Sequence, residues 1–187
     1  FQAIKKKKNL MINGDIGCYT LGANAPLNAL DTAICMGASL SMAHGASQAY
    51  KMVGAETKAV GVLGDSTFFH SGITSIMDSI YNQGHSISVI LDNSITGMTG
   101  HQQNPGSGFT LMGKEAPEVD IPALLKAVGM KEENIHIVNP NILEEVDKAL
   151  DACIATDEPS VIITRWPCVL KKFSQQDLDE FPTMNKH

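Results

Sequence analysis

Several things are scarce or missing in this sequence. Cysteine is sparse and never arranged as CxxC: Cys18, Cys35, Cys153 and Cys168 stand far apart. That spacing signals neither a zinc site nor a redox pair, and it fits reduced thiols of a cytoplasmic protein. No G-x-G-x-x-G follows a strand and no Walker lysine is present, which leaves a Rossmann-like or P-loop nucleotide module without support. No apolar run is long enough to span a membrane. The amino end is basic at Lys5-Lys6-Lys7-Lys8 but lacks the apolar segment of a signal peptide. That basic run reads as a solvated lead-in to the first strand. A net charge of −6 argues against general nucleic-acid binding, which needs a basic footprint. Aromatics are scarce, at 5%, while glycine and methionine are plentiful, which suits helices packed closely on a sheet. With 187 residues and 43% hydrophobic content, one globular domain with a sizeable core is expected.

What is present centres on residues 64–102. The apolar run Ala59-Val60-Gly61-Val62-Leu63 stops at Gly64-Asp65-Ser66, and Ile87-Ser88-Val89-Ile90-Leu91 stops at Asp92-Asn93-Ser94. A helical stretch lies between them. Two buried parallel strands joined by a helix place both stops on one edge of a sheet. Ligands in such sheets sit beyond the carboxyl ends of the strands. Asp65 and Asn93 offer hard oxygens suited to Mg²⁺, too few for an all-protein cage but enough when phosphate and water complete the shell. Gly64 permits close backbone approach, and the helix start offers N–H groups to an anion. The plain alternative is a strand-ending turn followed by a helix cap.

This pattern resembles the thiamine diphosphate motif, in which Gly-Asp-Gly is followed at similar spacing by Asn-Asn. Ser66 stands for the third glycine and Asp92 for the first asparagine, and neither departure touches a metal ligand. The resemblance implies Asp65, Asn93 and the carbonyl of Ile95 as Mg²⁺ ligands. The flanks are Gly14-Asp15-Ile16-Gly17-Cys18-Tyr19, Cys35-Met36-Gly37-Ala38-Ser39, Ala43-His44-Gly45, Phe69-His70-Ser71-Gly72-Ile73 and Thr96-Gly97-Met98-Thr99-Gly100-His101-Gln102. Together they resemble the large subunit of indolepyruvate ferredoxin oxidoreductase over most of the chain, from Asn9 to about Leu170.

That likeness implies an α/β fold of three layers, a mainly parallel sheet with helices on both faces. It implies thiamine diphosphate and Mg²⁺ as cofactors, with residues 1–170 as the cofactor-binding domain and 171–187 as a tail or linker. Ile16, Cys18 and Tyr19 would lie along the thiazolium side, beside Asp15 and Gly17. Asp15 also has a turn-capping role open to it, and Cys18 an ordinary buried one. Met36, Gly37 and Ser39 match a cofactor-contacting helix entry in related acetolactate synthases. His44 reads first as structural and second as a site residue. Gly64, Ser66, Thr67 and His70 would approach the diphosphate, and Thr96, Gly97 and Met98 would follow the metal ligand. Gln102 matches a glutamine common in 2-oxoacid oxidoreductases.

No catalytic residue is assigned, because the activating glutamate belongs to a separate pyrimidine-binding domain. The implied partners are that domain, a smaller subunit, ferredoxin and CoA, with possible homo-oligomers; iron–sulfur clusters belong to parts not in this sequence. The lone chain is expected to bind cofactor weakly and not to turn over. Two alternatives stay open: another thiamine diphosphate enzyme of acetolactate synthase or phosphonopyruvate decarboxylase type, or a non-catalytic phosphate-binding module.

Elsewhere the expectations are local. The chain opens on Phe1, almost at a strand, as a piece of a longer polypeptide would. Residues 21–31 should be irregular, and a helix of small residues should run from Gly37 or Ala38 to Met52. Ile73, Ile76, Met77 and Ile80 have the spacing of one buried helix face. Thr67 or Ser71 is a candidate cap for that helix. Residues 94–113 form a long glycine-rich loop whose 104–108 section reads as a mobile lid. Asp120-Ile121-Pro122 reads as a helix start. The tail from Trp166 reads as a linker or an arm on a neighbour.

Overall fold

Two β-branched runs make the centre of the sheet. The strands β3 (Lys58–Gly64) and β4 (Ile87–Asp92) are buried almost end to end and pair in parallel, Val60 opposite Ile87 and Gly64 opposite Leu91. Burial on both faces is what a parallel sheet under helices requires. The computed structural model describes residues 1–173 and 175–181. Beside the central pair lie β1 (Leu10–Gly14), β2 (Thr32–Ala33), β5 (Ile135–Val138) and β6 (Ser160–Arg165). All pairings are parallel, in the order β2-β1-β3-β4-β6-β5.

Alternation along the strands divides the core in two. Val60, Val62 and Val89 face Ile4 of α1 (Gln2–Lys6) and Leu150 and Cys153 of α6 (Leu143–Ala155). Leu63 and Ile90 face Leu40 of α2 (Ala38–Met52), Phe68, Ile76 and Leu125 of α5 (Ile121–Ala127). The expected three layers are therefore present. Each fully buried leucine, such as Leu125 or Leu150, stabilises by about 1.5–3 kcal/mol. Gly61 shows why α2 is rich in small residues. A Cβ there would lie 2.7 Å from Leu40 Cδ2 and 2.8 Å from the Ser39 carbonyl oxygen.

From β1 the chain steps outward to β2, returns to β3 on the other side of β1, and then proceeds to β4. The winding reverses between β1 and β3. In doubly wound sheets the ligand crevice belongs at the carboxyl ends of such a pair, where the loops after the two strands leave in opposite directions.

Several expectations need correction. The helix after β3 has no lead-in. It starts at Asp65 as α3 (Asp65–Thr67), widens into a π-helical turn at Phe68–Gly72, and continues as α4 (Ile73–Tyr81). Extended backbone at Gly64 (φ −86°, ψ 164°) delivers the chain directly into it. Neither Thr67 nor Ser71 caps this helix, and the Ser71 hydroxyl points back to the Thr67 carbonyl at 3.5 Å. Met77 is 51% exposed, so it leaves the anticipated apolar face. Ile73, Ile76 and Ile80 do pack into the core as expected, and Ser75 and Ser79 take the remaining buried positions, because α4 lies close against α2, where Ser41 and Ser75 share a 2.7 Å hydrogen bond.

The lysine run begins within α1 and precedes β1. Lys7 pairs with Asp151 at 2.6 Å, and Lys5 donates to the Pro26 carbonyl. Leu143 of α6 is 40% exposed, outside the face formed by Leu150 and Cys153. As expected, Asp120 caps α5 by accepting from the Ala123 N–H at 2.6 Å, and Gly129 follows at φ +100°. In the tail, α7 (Gln175–Glu180) lies between Trp166 and Phe181, whose rings meet edge-on with centroids 5.2 Å apart. Lys171 pairs with Asp177 at 2.8 Å. Residues 166–173 and 175–181 thus lie on their own chain; Ser174 and 182–187 fall outside the described residues. No helix among the described residues is long and apolar enough to cross a membrane.

Candidate functional site

Three chain stops meet at the crevice. The first is Asp15, which has no exposed surface. Its turn role is larger than the sequence suggests, because the carboxylate caps a distant element. It accepts the Gly37 N–H at 2.7 Å at the entry of α2, the Ser39 hydroxyl at 3.4 Å, and the Tyr19 hydroxyl. Burial raises the Asp15 carboxyl above the ordinary carboxylate range. The loop is closed below it by Thr20, whose hydroxyl donates to the Asp15 carbonyl and accepts from the Gly17 N–H.

The second stop is Gly64-Asp65. The Tyr19 ring lies across the two glycines of the crevice. A Cβ at Gly17 would meet it at 2.3 Å and one at Gly64 at 3.3 Å. Its hydroxyl faces the Gly64 N–H and the Thr67 hydroxyl, while burial and the Asp15 carboxylate raise its pKa. Asp65 is 2% exposed. Its Oδ2 accepts from Asn104 Nδ2 at 2.9 Å, and the Ser66 N–H also faces the carboxylate. Burial first, and then the neighbouring Asp92 carboxylate, push its pKa up to about 7.

The third stop is Asp92-Asn93. Gly64 pairs with Leu91, so Asp65 and Asn93 both leave the sheet at the same level. Asn93 Oδ1 accepts the Ile95 N–H at 3.2 Å, a tight turn helped by Ser94 at φ +55°. Asp92 serves a different end: its carboxylate pairs with Arg165 of β6 at 3.0 Å. Thr96 donates to the Ser66 hydroxyl at 2.8 Å and ties the outgoing loop to the start of α3.

The donor chemistry fits a hard dication. The buried Asp65 carboxylate, with its raised pKa, has no cationic partner of its own among the described residues, since the nearby Arg165 is committed to Asp92, and the Asn93 amide oxygen leaves the sheet beside it. Among the described residues no cluster of three His, Cys, Asp or Glu side chains is placed to hold a metal. Mg²⁺ shared with phosphate suits such a set better than a caged transition metal.

The structure gathers Asp15, Gly17, Tyr19, Gly37, Ser39, Gly64, Asp65, Ser66, Thr67, Asn93, Ile95 and Thr96 at this edge. Ile16, Met36 and Met98 border it with exposed side chains, and Cys18 is exposed rather than buried. Gly97 lies 3.7 Å, measured from an added Cβ, from the Cys168 sulfur. His70 is exposed on the π-helical turn. His44 is not brought to the crevice. An added Cβ at Gly84, before β4, would lie 2.5 Å from its Nδ1, and its Nε2 lies 3.7 Å from Asp78. Sequence reasoning missed the reach of Asn104 to Asp65. Asn-Pro-Gly reads as a turn, and nothing local indicates that Asn104 reaches back 39 residues to Asp65.

The cysteines give a direct check on this placement. Burial pushes the Cys153 thiol up to about 11, whereas Cys18 and Cys35 are exposed. Native chain titrated with an aromatic disulfide reagent should lose Cys18 and Cys35 quickly and Cys153 only on unfolding. Fast modification of Cys153 in the folded state would contradict the packing of α6 on the sheet.

Comparison with known proteins places this geometry in a class. Residues 15–164 match the family model described as thiamine pyrophosphate enzyme, C-terminal TPP binding domain, and the chain belongs to that family. Among curated relatives it is similar to the indolepyruvate oxidoreductase subunit IorA of Archaeoglobus fulgidus, 40% identical over 156 residues, 83% of this chain and 24% of that protein. The same subunit of Pyrococcus horikoshii is 36% identical over 186 residues, 94% of this chain and 28% of that protein. The chain thus spans about a quarter of the length of these relatives.

Among solved structures, 2-oxoglutarate:ferredoxin oxidoreductase from Magnetococcus marinus superposes with a TM-score of 0.75 at 14% identity, covering 92% of this chain and 60% of that one. Benzoylformate decarboxylase from Polynucleobacter necessarius gives 0.65 at 19% identity, covering 88% and 32%. At these identities the two structures bear on the fold alone.

Proposed function

We propose that this chain is the diphosphate-anchoring domain of a thiamine diphosphate-dependent oxidoreductase that oxidatively decarboxylates indolepyruvate or related aryl pyruvates to acyl-CoA and passes the electrons to ferredoxin. The observation that carries the anchoring role is the buried Asp65 carboxylate, set level with Asn93 at the point where the sheet reverses its winding. The similarity to IorA subunits supports the substrate class.

In this reading Asp65, Asn93 Oδ1 and the Ile95 carbonyl hold Mg²⁺, and the metal offsets the repulsion between the Asp65 carboxylate and phosphate oxygens. The Thr67 backbone receives the diphosphate, with Gly64, Ser66 and Thr96 at its margin. Ile16, Cys18, Tyr19 and Met36 lie along the body of the cofactor and exclude water, while Asp15 fixes their loop against α2. The bound cofactor supplies the nucleophilic carbon and the electron sink for decarboxylation. The carboxylate that activates its aminopyrimidine comes from a pyrimidine-binding domain.

Residues 1–170 constitute the domain, with 171–187 as its C-terminal tail or linker. The exposed apolar side chains Leu21, Ile34, Met36 and Met98 stand on loops leaving the same edge, which suits a partner domain closing over the cofactor. A smaller subunit, ferredoxin and CoA complete the enzyme, which works in the cytoplasm.

Calorimetric titration with thiamine diphosphate, in Mg²⁺ and then in EDTA, tests the anchor. The enzyme containing this domain should bind only with Mg²⁺. Binding that ignores the metal would rule out the mechanism.

A further inference from the structure

The 104–108 section of the long loop is built into the site. Asn104 is 7% exposed, and its Nδ2 donates to Asp65 Oδ2 at 2.9 Å. Its other amide atom is already committed, since Oδ1 accepts the Gly106 N–H at 2.9 Å. The orientation of the amide is thereby fixed. The oxygen faces the loop's own backbone, so the side chain presents only a donor to Asp65 and does not itself act as a metal ligand. The turn is locked from both sides. Ser107 Oγ accepts from the Asn104 N–H and donates to the Asn104 carbonyl. A Cβ at Gly106 would sit 2.9 Å from the Phe69 ring on the π-helical turn, so backbone and ring are in close contact there.

We propose that Asn104 is a positioning residue for the metal anchor: its amide holds Oδ2 of Asp65 and so fixes the orientation of the carboxylate that would bind Mg²⁺. The inference rests on the reading of Asp65 as a Mg²⁺ ligand. A ligating carboxylate held by one charge-assisted donor keeps one orientation, and partners of this kind govern metal affinity as well as ligand geometry. The 104–108 section is therefore a clasp on the metal ligand, where the sequence suggests a mobile lid. It also joins two elements that a cofactor must satisfy together, the start of α3 and the loop after Asn93.

The test uses the intact enzyme that contains this domain, stripped with EDTA and titrated with Mg²⁺ at saturating thiamine diphosphate. Retained cofactor is measured after ultrafiltration. Asn104→Ser keeps an oxygen to accept the Gly106 N–H but is too short to reach Asp65; Asn104→Ala removes both interactions. Hydrogen exchange of residues 94–113 and the melting curve of the metal-free protein are recorded for each.

In Asn104→Ser the Mg²⁺ concentration for half-retention should rise about 10- to 100-fold, with loop exchange like that of the wild type. Unchanged Mg²⁺ dependence in Asn104→Ser would overturn the proposal. So would a loss confined to Asn104→Ala and accompanied by a fast-exchanging loop, since that pattern means the residue only shapes the turn. Wild-type enzyme that retains cofactor in EDTA would overturn the anchor itself, and this inference with it.

Discussion

Asp65→Asn is expected to abolish Mg²⁺-dependent binding of thiamine diphosphate and, at the same time, to make the metal-free chain more stable above pH 7. Both effects come from one buried carboxylate. Its pKa, about 7 in the folded chain against an ordinary 3.8, means that folding favours its neutral form. The associated stabilisation is full below the unfolded value and is lost as pH rises through about 7. A shift of this size corresponds to roughly 2–4 kcal/mol, discounting for relaxation around the site.

In EDTA, the urea midpoint of the wild type should therefore fall between pH 5 and pH 8. Asp65→Asn, which has no charge to desolvate, should follow a flatter curve and exceed the wild type at the alkaline end. Saturating Mg²⁺ with cofactor should reverse the order. Identical pH profiles for the two proteins in EDTA would mean that Asp65 is better solvated than its surroundings indicate.

The second large effect is expected at Gly37. Its φ of +89° is a left-handed value that side chains disfavour, at about 1–2 kcal/mol. An added Cβ would also lie 2.1 Å from Ser71 Oγ and 2.9 Å from Ser71 Cβ, where overpacking costs about 1–3 kcal/mol more. Gly37→Ala should thus destabilise by about 2–5 kcal/mol, measured by urea unfolding. Adding Ser71→Gly to the same chain should recover the steric part and leave the backbone part. Because the Gly37 N–H donates to Asp15, movement here also loosens the Tyr19 loop. Full recovery with Ser71→Gly would show that the left-handed backbone carries little strain.

The parts legible in the sequence depended on contrasts that survive without tertiary knowledge. Two β-branched runs ending abruptly in Gly64-Asp65 and Asp92-Asn93 indicate parallel strands with a shared edge, and the register places those stops level. The small residues of α2 likewise announce close packing, which Gly61 completes. Other features had no local signal. Asp15 was read as a turn cap because its partners, Gly37 and Ser39, lie more than 20 residues away. Asn104 looked like loop punctuation for the same reason.

Met77 was misplaced by a straightforward helical count, since it is close packing of Ser75 and Ser79 against α2 that sets the buried side. For His44 the first, structural reading agrees with its place beside Asp78 and Gly84, and the site reading suggested by the surrounding motif does not, since α2 carries it away from the carboxyl-end edge. The two-residue β2 and the five-residue α1 are too short for periodicity to detect.

The widened turn at Phe68–Gly72 has a consequence for how this helix can vary. Asp65 must aim its carboxylate at the crevice, while Ile76 must aim into the core. In a regular helix, each residue advances the angle by about 100°, so the direction of one would dictate that of the other. A turn that accommodates an extra residue introduces a phase offset between them. The anchor and the hydrophobic stripe can then be oriented separately, and substitutions that repack the lower helix need not re-aim the metal ligand.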